Sequence, residues 1–349
     1  MIKYAHIIRY VASTLWAITP EKMAELLAVL AFRAAGHTFT DSEIHARIGD
    51  GGGSGATGRG AVAVIPIRGV IAHRMGGMDE SSGGTSAERI SARLDQIAAD
   101  SSIGTIVYDI DSPGGTVPGI QELAAKMFAL RGQKKQIAQV NSLAASAAYW
   151  LASQADEIVS LPSGTAGSIG VFSVHEDLSK ALEQEGIHVT LISAGKYKVA
   201  GNPFVPLSEE EHAVIQDRVD VAYAQFVKDV ARGRGVTPAD VRDGYGEGRA
   251  LNAKQAKAAG LIDRIATMDE TLTRLSGRAS PVSGPRASVR AGEDEDEVCQ
   301  TCKGCGLRPE RFMSDPEGHL PCEDCQGTGK KAAAAVASSD HRAQERRLL

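Results

Sequence analysis

Ser146 lies in the stretch Q-V-N-S-L-A-A-S-A-A-Y-W (139–150), where an apolar, strand-like run from Ile137 to Val140 stops at Asn141 and small residues lead on to Tyr149 and Trp150. A serine at the start of a helix sits beside N–H groups that have no partner within the helix, at the positive end of the helix dipole. An anion forming next to such a serine is stabilised, and small neighbours leave room for a substrate backbone. This is how a nucleophile elbow is built, although Ala/Ser-rich turns into helices also occur where no chemistry is done.

A serine hydroxyl is a weak nucleophile until a base takes its proton. None of the nine histidines sits in a comparable small-residue frame; His175, in S-V-H-E-D, is the best placed and reads as structural or solvent-facing. Lys198 is the better candidate. It follows an expected strand in A-G-K-Y-K-V-A-G-N-P-F, bounded by Gly195, Gly201 and Pro203, and Lys196 is its nearest rival. A lysine is ordinarily a solvated charge with a pKa of about 10.4, and bringing it down to neutrality takes about 4 kcal/mol imposed by burial. The apolar context of Leu191 to Val199 is expected to supply that burial. In D-S-P-G-G (111–115) the glycines let backbone N–H groups turn towards a substrate oxygen, although the same residues also punctuate ordinary loops.

The elements that must position these residues follow from periodicity. The run 61–71 (A-V-A-V-I-P-I-R-G-V-I) predicts a buried strand, with Pro66 marking an edge or a bulge. A helix is expected over 86–99, a strand over 105–110, a helix over 120–130 and a strand over 136–140. Beyond Ser146 come a short helix, a strand at 157–160, the segment T-A-G-S-I-G-V (165–171), a helix at 177–184 and a strand at 189–192. Ser208 and Glu211 form a capping box that opens a long helix with Val214, Ile215, Val219, Ala222, Phe226 and Val230 on one face, and Gly233 is the expected stop. G-R-A-L-N-A-K-Q-A-K-A-A-G-L-I-D (248–263) and a helix to Leu275 close the core. Strands alternating with helices imply an α/β core with a largely parallel sheet.

With 349 residues, 43% of them hydrophobic and 23% charged, the chain has room for two domains and appendages. Its net charge of −5 gives no global attraction to nucleic acid or anionic membrane, so no nucleic-acid partner is expected. Residues 1–50 read as an N-terminal helical segment: Thr19 is the expected N-cap with Pro20 at the first helical position, and Gly36 is the stop. Arg9, Glu21, Lys22, Glu25 and Arg33 interrupt its apolar residues before the roughly 20 in a row that a transmembrane span needs. Residues 51–60 are a glycine-rich linker, 61–276 the core and 277–297 an acidic linker expected to be disordered.

All five cysteines fall in the last fifth of the chain, so no disulfide staples the core. Cys299 and Cys302, then Cys322 and Cys325, form two copies of C-x-x-C-x-G-x-G, a spacing that suits tetrahedral zinc, with Cys305 left over. A structural Zn2+ held by these four cysteines, in a small module at 298–330, is therefore expected, followed by a mobile tail at 331–349. The two repeats resemble the zinc module of DnaJ-type chaperones, which implies at most a protein-binding role.

Five motifs in order, D-S-P-G-G, A-S-A-A-Y, T-A-G-S-I-G-V, G-K-Y-K…P-F and G-R…A…A-G-L-I-D, resemble those of the S49 peptidases: signal peptide peptidase A and the related phage prohead proteases. The resemblance covers residues 61–275. It implies a ClpP/crotonase-like fold and a serine endopeptidase in which Ser146 is the nucleophile, Lys198 the general base and Ser168 the residue that holds the lysine. It also implies an oxyanion hole formed by Gly114 and the amide of Ala147, no cofactor for catalysis, and a homo-oligomer. Ala147 and Ala148 stand where the family often has glycines, which narrows the site without removing a donor. The N-terminal pattern looks more like the phage members than the membrane-anchored cellular ones. The expectation is a head-maturation protease acting on scaffold, capsid or portal proteins in the host cytoplasm or the prohead. Hydrolysis of membrane-derived peptides, acyl-CoA chemistry on the same fold and a non-catalytic assembly role are the alternatives.

Overall fold

The computed structural model describes residues 11, 14–34, 61–75 and 83–276. The glycine linker, the acidic linker, the module with Cys299, Cys302, Cys322 and Cys325, the tail and the expected stop at Gly36 lie outside the described residues.

Apolar residues at every second position make the strands one-sided or fully buried. In β2 (Ala61–Ala72), Ala63, Ile65 and Ile67 point inwards while Pro66 and Arg68 face solvent. Pro66 is tolerated because β3 (Thr85–Ser86) pairs only with Ile71 and Ala72, leaving the proline's flank open. In β4 (Ile103–Thr116), Ile106 to Ile110 are all buried, as in a strand covered on both faces. The sheet runs β3, β2, β4, β5 (Lys135–Ala145), β6 (Glu157–Ser160), β9 (Arg264–Ile265), with every pair along this path parallel. A short offshoot adds β7 (Thr165–Gly167), parallel to β5, and β8 (Ala250–Asn252), antiparallel to β7. This is the mixed α/β architecture, mostly parallel, that the alternation predicts.

The crossovers are helices. α2 (Ala87–Ala99) begins at Ser86, whose hydroxyl accepts the Arg89 N–H, and it buries Ile90, Leu94 and Ile97. α3 (Ile120–Ala129) and α4 (Ala147–Ala152) follow β4 and β5. The short helix α5 (Ser179–Gln184) buries none of its residues. α6 (Glu209–Arg234) has the expected capping box, but Gly235 in the left-handed conformation ends it rather than Gly233. Gly233 lies inside the helix for a packing reason: a Cβ there would stand 2.1 Å from the Ser153 carbonyl oxygen. α7 (Pro238–Gly244), α8 (Ala253–Ala258) and α9 (Met268–Leu275) finish the core.

Other expectations also differ from the structure. The strand expected at 189–192 does not form; Ile187, Val189 and Ile192 are exposed, with Ile192 at 95%, and no strand among the described residues covers them. The apolar stripe of α6 is buried only from Phe226 onwards. Ahead of α1 (Pro20–Ala34), β1 (Trp16–Ile18) joins the sheet antiparallel to the end of β4, so the N-terminal segment adds a strand to the core as well as a helix.

Candidate active site

β5 runs five residues beyond the expected stop at Val140. Its second half acquires a new neighbour, because Leu143–Ala145 pair with Thr165–Gly167 of β7. The strand ends at Ser146, whose φ of 56° and ψ of −120° lie where side-chain-bearing residues are rarely found, and α4 starts at the next residue. Such strain costs about 1–3 kcal/mol and persists only where the surroundings enforce it. Ser146 N–H donates to Gly167 O at 2.8 Å, and Ser146 O accepts from Trp150 N–H at 2.9 Å.

Every residue of α4 is buried. The Trp150 ring stacks on Phe226 of α6 with centroids 4.3 Å apart, and its Nε1–H donates to Asp229 Oδ2 at 3.0 Å. Tyr149 donates its hydroxyl to Leu261 O at 2.8 Å, and burial pushes this phenol's pKa up. The helix behind the serine is thus fixed on two sides.

Ser168 is a second strained serine, with φ 53°, and its N–H donates to Arg249 O at 2.9 Å. Because Ala145 pairs with Gly167, Ser146 and Ser168 leave neighbouring parallel strands side by side. Gly114 closes a third side with φ 99°; a Cβ there would lie 3.0 Å from Ser146 Cβ, so no side chain fits. Its N–H donates to Ser112 Oγ at 3.1 Å, and that hydroxyl donates to Gly69 O at 2.6 Å. Ala147 is the first residue of α4, and its N–H therefore has no partner within the helix. Ser146 Oγ makes only a long hydrogen bond, 3.4 Å to Gly170 O, and the residue is 1% exposed.

The structure therefore gathers Ser146, Ser168, Gly114 and Ala147 at one point. Lys198 lies in an irregular arm, residues 173–208, and is exposed to solvent. No hydrogen bond joins its ammonium to Ser146 or Ser168. Lys196 is paired with Glu210, which also accepts from the Tyr197 hydroxyl at 2.9 Å. The hydrogen bond to Glu210 raises the Lys196 pKa and so holds it as a cation. His175 Nε2 is 3.2 Å from Asn202 O within the same arm, the structural role expected of it.

Sequence reasoning missed the groups that brace the site. Asp109, buried in β4, pairs with Arg68 at 2.6 Å and accepts from Asn141 Nδ2 at 3.0 Å, tying β2, β4 and β5 together beside D-S-P-G-G. Arg131 donates to Gln154 O, Ser153 O and Gly233 O and so joins the end of α4 to α6. An aspartate inside the otherwise apolar run T-I-V-Y-D-I was the one readable sign of the first cluster.

A serine wedged between a glycine turn and a helix start has the geometry that acyl transfer uses. Residues 129–280 match Peptidase family S49, so the chain carries an S49 peptidase domain. It is 34% identical over 254 residues to the head-tail preconnector protein GP5 of Enterobacteria phage P21, covering 70% of this chain and 50% of that protein. It is 33% identical over 229 residues to capsid assembly protease C of Escherichia phage lambda, covering 64% and 52%. Against protease 4 of Salmonella typhi the figures are 29% over 218 residues, covering 62% and 34%. The chain spans about half the length of the two phage proteins. Among the described residues no helix is long and apolar enough to cross a membrane.

Proposed function

We propose that this protein is a serine endopeptidase of phage head maturation, built on a ClpP/crotonase-like core and cutting scaffold or capsid proteins. Ser146 is the nucleophile and Lys198 the general base. Ser168 holds the lysine, and the N–H groups of Gly114 and Ala147 receive the oxyanion. The lysine amine takes the Ser146 proton as Oγ attacks the peptide carbonyl, and the leaving amine carries a proton away as the acyl-enzyme forms. Water then hydrolyses the ester, with the lysine again as base. The observation that carries this reading is the strained Ser146, fixed against Gly114 and Ser168 at the start of a buried helix. The likeness to a phage capsid assembly protease supports the choice of substrate.

Lys198 has to lose water before it can act as a base, and its arm is exposed together with Ile187, Val189 and Ile192. Assembly into a homo-oligomer supplies that burial in this reading, since an arm with several uncovered apolar side chains is suited to packing against a second copy. The two cysteine pairs at 299–302 and 322–325 are proposed to hold one structural Zn2+.

Intact-mass spectrometry of the protein, and of its Ser146→Ala variant, each incubated with the scaffold and capsid proteins encoded alongside it, tests the function. Cleavage by the parent that vanishes in the variant is expected. Uncut partners in both mixtures, with fold and assembly intact, would leave an assembly role instead.

A further inference from the structure

The strand β1 occupies an unusual place. It pairs antiparallel with the end of β4, Trp16 opposite Thr116, Ala17 opposite Gly115 and Ile18 opposite Gly114. On its other edge Trp16 exchanges two backbone hydrogen bonds with Phe172, each 2.9 Å. Val117 N–H donates to Leu15 O at 2.9 Å, and Thr19 N–H donates to Pro113 O at 3.0 Å. Three residues are thus held in extended form along β4, and Trp16 is bonded on both edges. They lie directly beside the serine, since the point that a Gly114 Cβ would occupy is 2.2 Å from Ala17 O and 3.0 Å from Ser146 Cβ. An extended chain held by its backbone with a carbonyl next to a nucleophile is how a peptidase holds its substrate.

The fit of this occupant is imperfect at one atom. Thr116 Oγ1, opposite Trp16, is the one buried side-chain polar atom among the described residues that has no hydrogen-bond partner. A buried hydroxyl without a partner is costly, and a strand with a polar side chain at the Trp16 position would satisfy it. Past Leu15 the track opens into a cavity of about 250 Å³ between Thr14, Leu15, Val117, Gly119 and Arg218, so a longer chain has somewhere to go.

We propose that the groove between Gly114–Thr116 and Phe172 is the channel for the substrate main chain, and that the protein's own residues 15–19 fill it until an extended polypeptide displaces them. This rests on Ser146 being the nucleophile, and it accounts for the serine's burial in the folded chain. The preferred substrate strand carries a small residue at the Ala17 position and a hydrogen-bonding one at the Trp16 position.

The test is the rate at which a fluorophosphonate probe labels Ser146, read by intact mass and peptide mapping, in the full chain and two variants. Trp16→Ala removes the anchor of the strand, and labelling is expected to quicken at least about tenfold, as a shift of the open population by that factor requires. Thr116→Val removes the unpartnered hydroxyl while keeping the shape, so the closed form gains, labelling slows and the melting temperature rises. Equal rates in all three chains would overturn the proposal, because a purely structural strand leaves access to the serine unchanged. A Trp16→Ala chain that unfolds labels more slowly than the parent. The decision then falls to hydrogen exchange in the Ser146→Ala chain with the synthetic peptide of residues 11–22 added. Loss of protection at 15–19 supports displacement, and unchanged protection overturns it. Labelling in none of the chains, or at another residue, would instead sink the serine-peptidase reading itself.

Discussion

The surroundings of Ser146 and those of Lys198 are built in opposite ways. Around the serine nearly every polar group is paired and nearly every side chain buried: Trp150 on Asp229, Tyr149 on Leu261 and Arg131 on four backbone carbonyls. In the arm of residues 173–208 no side chain is fully buried and the one helix covers nothing. The frame around Ser146 is therefore built within the single chain, whereas the arm that carries Lys198 is left open to solvent. A serine held in a strained conformation needs a rigid frame, whereas a lysine in open solvent is a hydrated cation and a poor base.

The largest break in this comparison is expected from Ser146→Ala, which should lower kcat/KM for a peptide substrate by about 10⁴-fold or more while leaving the fold unchanged by circular dichroism. Next is the frame. Phe226→Ala deletes a fully buried ring stacked on Trp150 and should cost about 3–5 kcal/mol in denaturant unfolding, with loss of activity following loss of fold. The arm responds differently: Ile192→Asp is expected to leave the melting temperature of the core alone, shift the sedimentation profile towards monomer and reduce activity about tenfold.

The smallest effect concerns acid. Burial raises the Asp263 pKa, but hydrogen bonds from Arg234 and from Ile158 N–H outweigh it and leave the carboxyl below its usual range. A carboxylate depressed in the folded state contributes stability above its unfolded pKa of about 3.9, and loses it as pH falls through the folded value. The stability gap between the parent and Asp263→Asn should therefore be full at neutral pH and shrink below about pH 4. Solvent screening at Asp263, whose side chain is 38% exposed, limits it to about 1 kcal/mol.

Much of the frame was legible in the sequence, since a strand buried on both faces and a helix with a capping box announce themselves through residue type and spacing. Ser146 was legible as a residue, because a serine among small neighbours before a helix is a local signal, and the turn glycines of D-S-P-G-G were legible in the same way. The extension of β5 to Ala145 was not, since it depends on β7 arriving as a neighbour, which no local pattern in N-S-L-A-A reveals. β1 was missed for a similar reason: three residues carry no periodicity, and their strand character comes from Gly114–Thr116 and Phe172 far along the chain. The strand expected at 189–192 shows the reverse error. Its residues have the right types, but no strand among the described residues pairs with them.

The most direct test of the division between serine and lysine is the rate at which a fluorophosphonate labels Ser146 in the assembled parent, in Lys198→Ala and in Lys196→Ala. Labelling that all but stops in Lys198→Ala and continues in Lys196→Ala is the predicted result, because Lys196 is held as a cation by Glu210. Labelling of Lys198→Ala at the parent's rate would mean that Ser146 is activated by some other group, and that the exposed arm has no part in the chemistry.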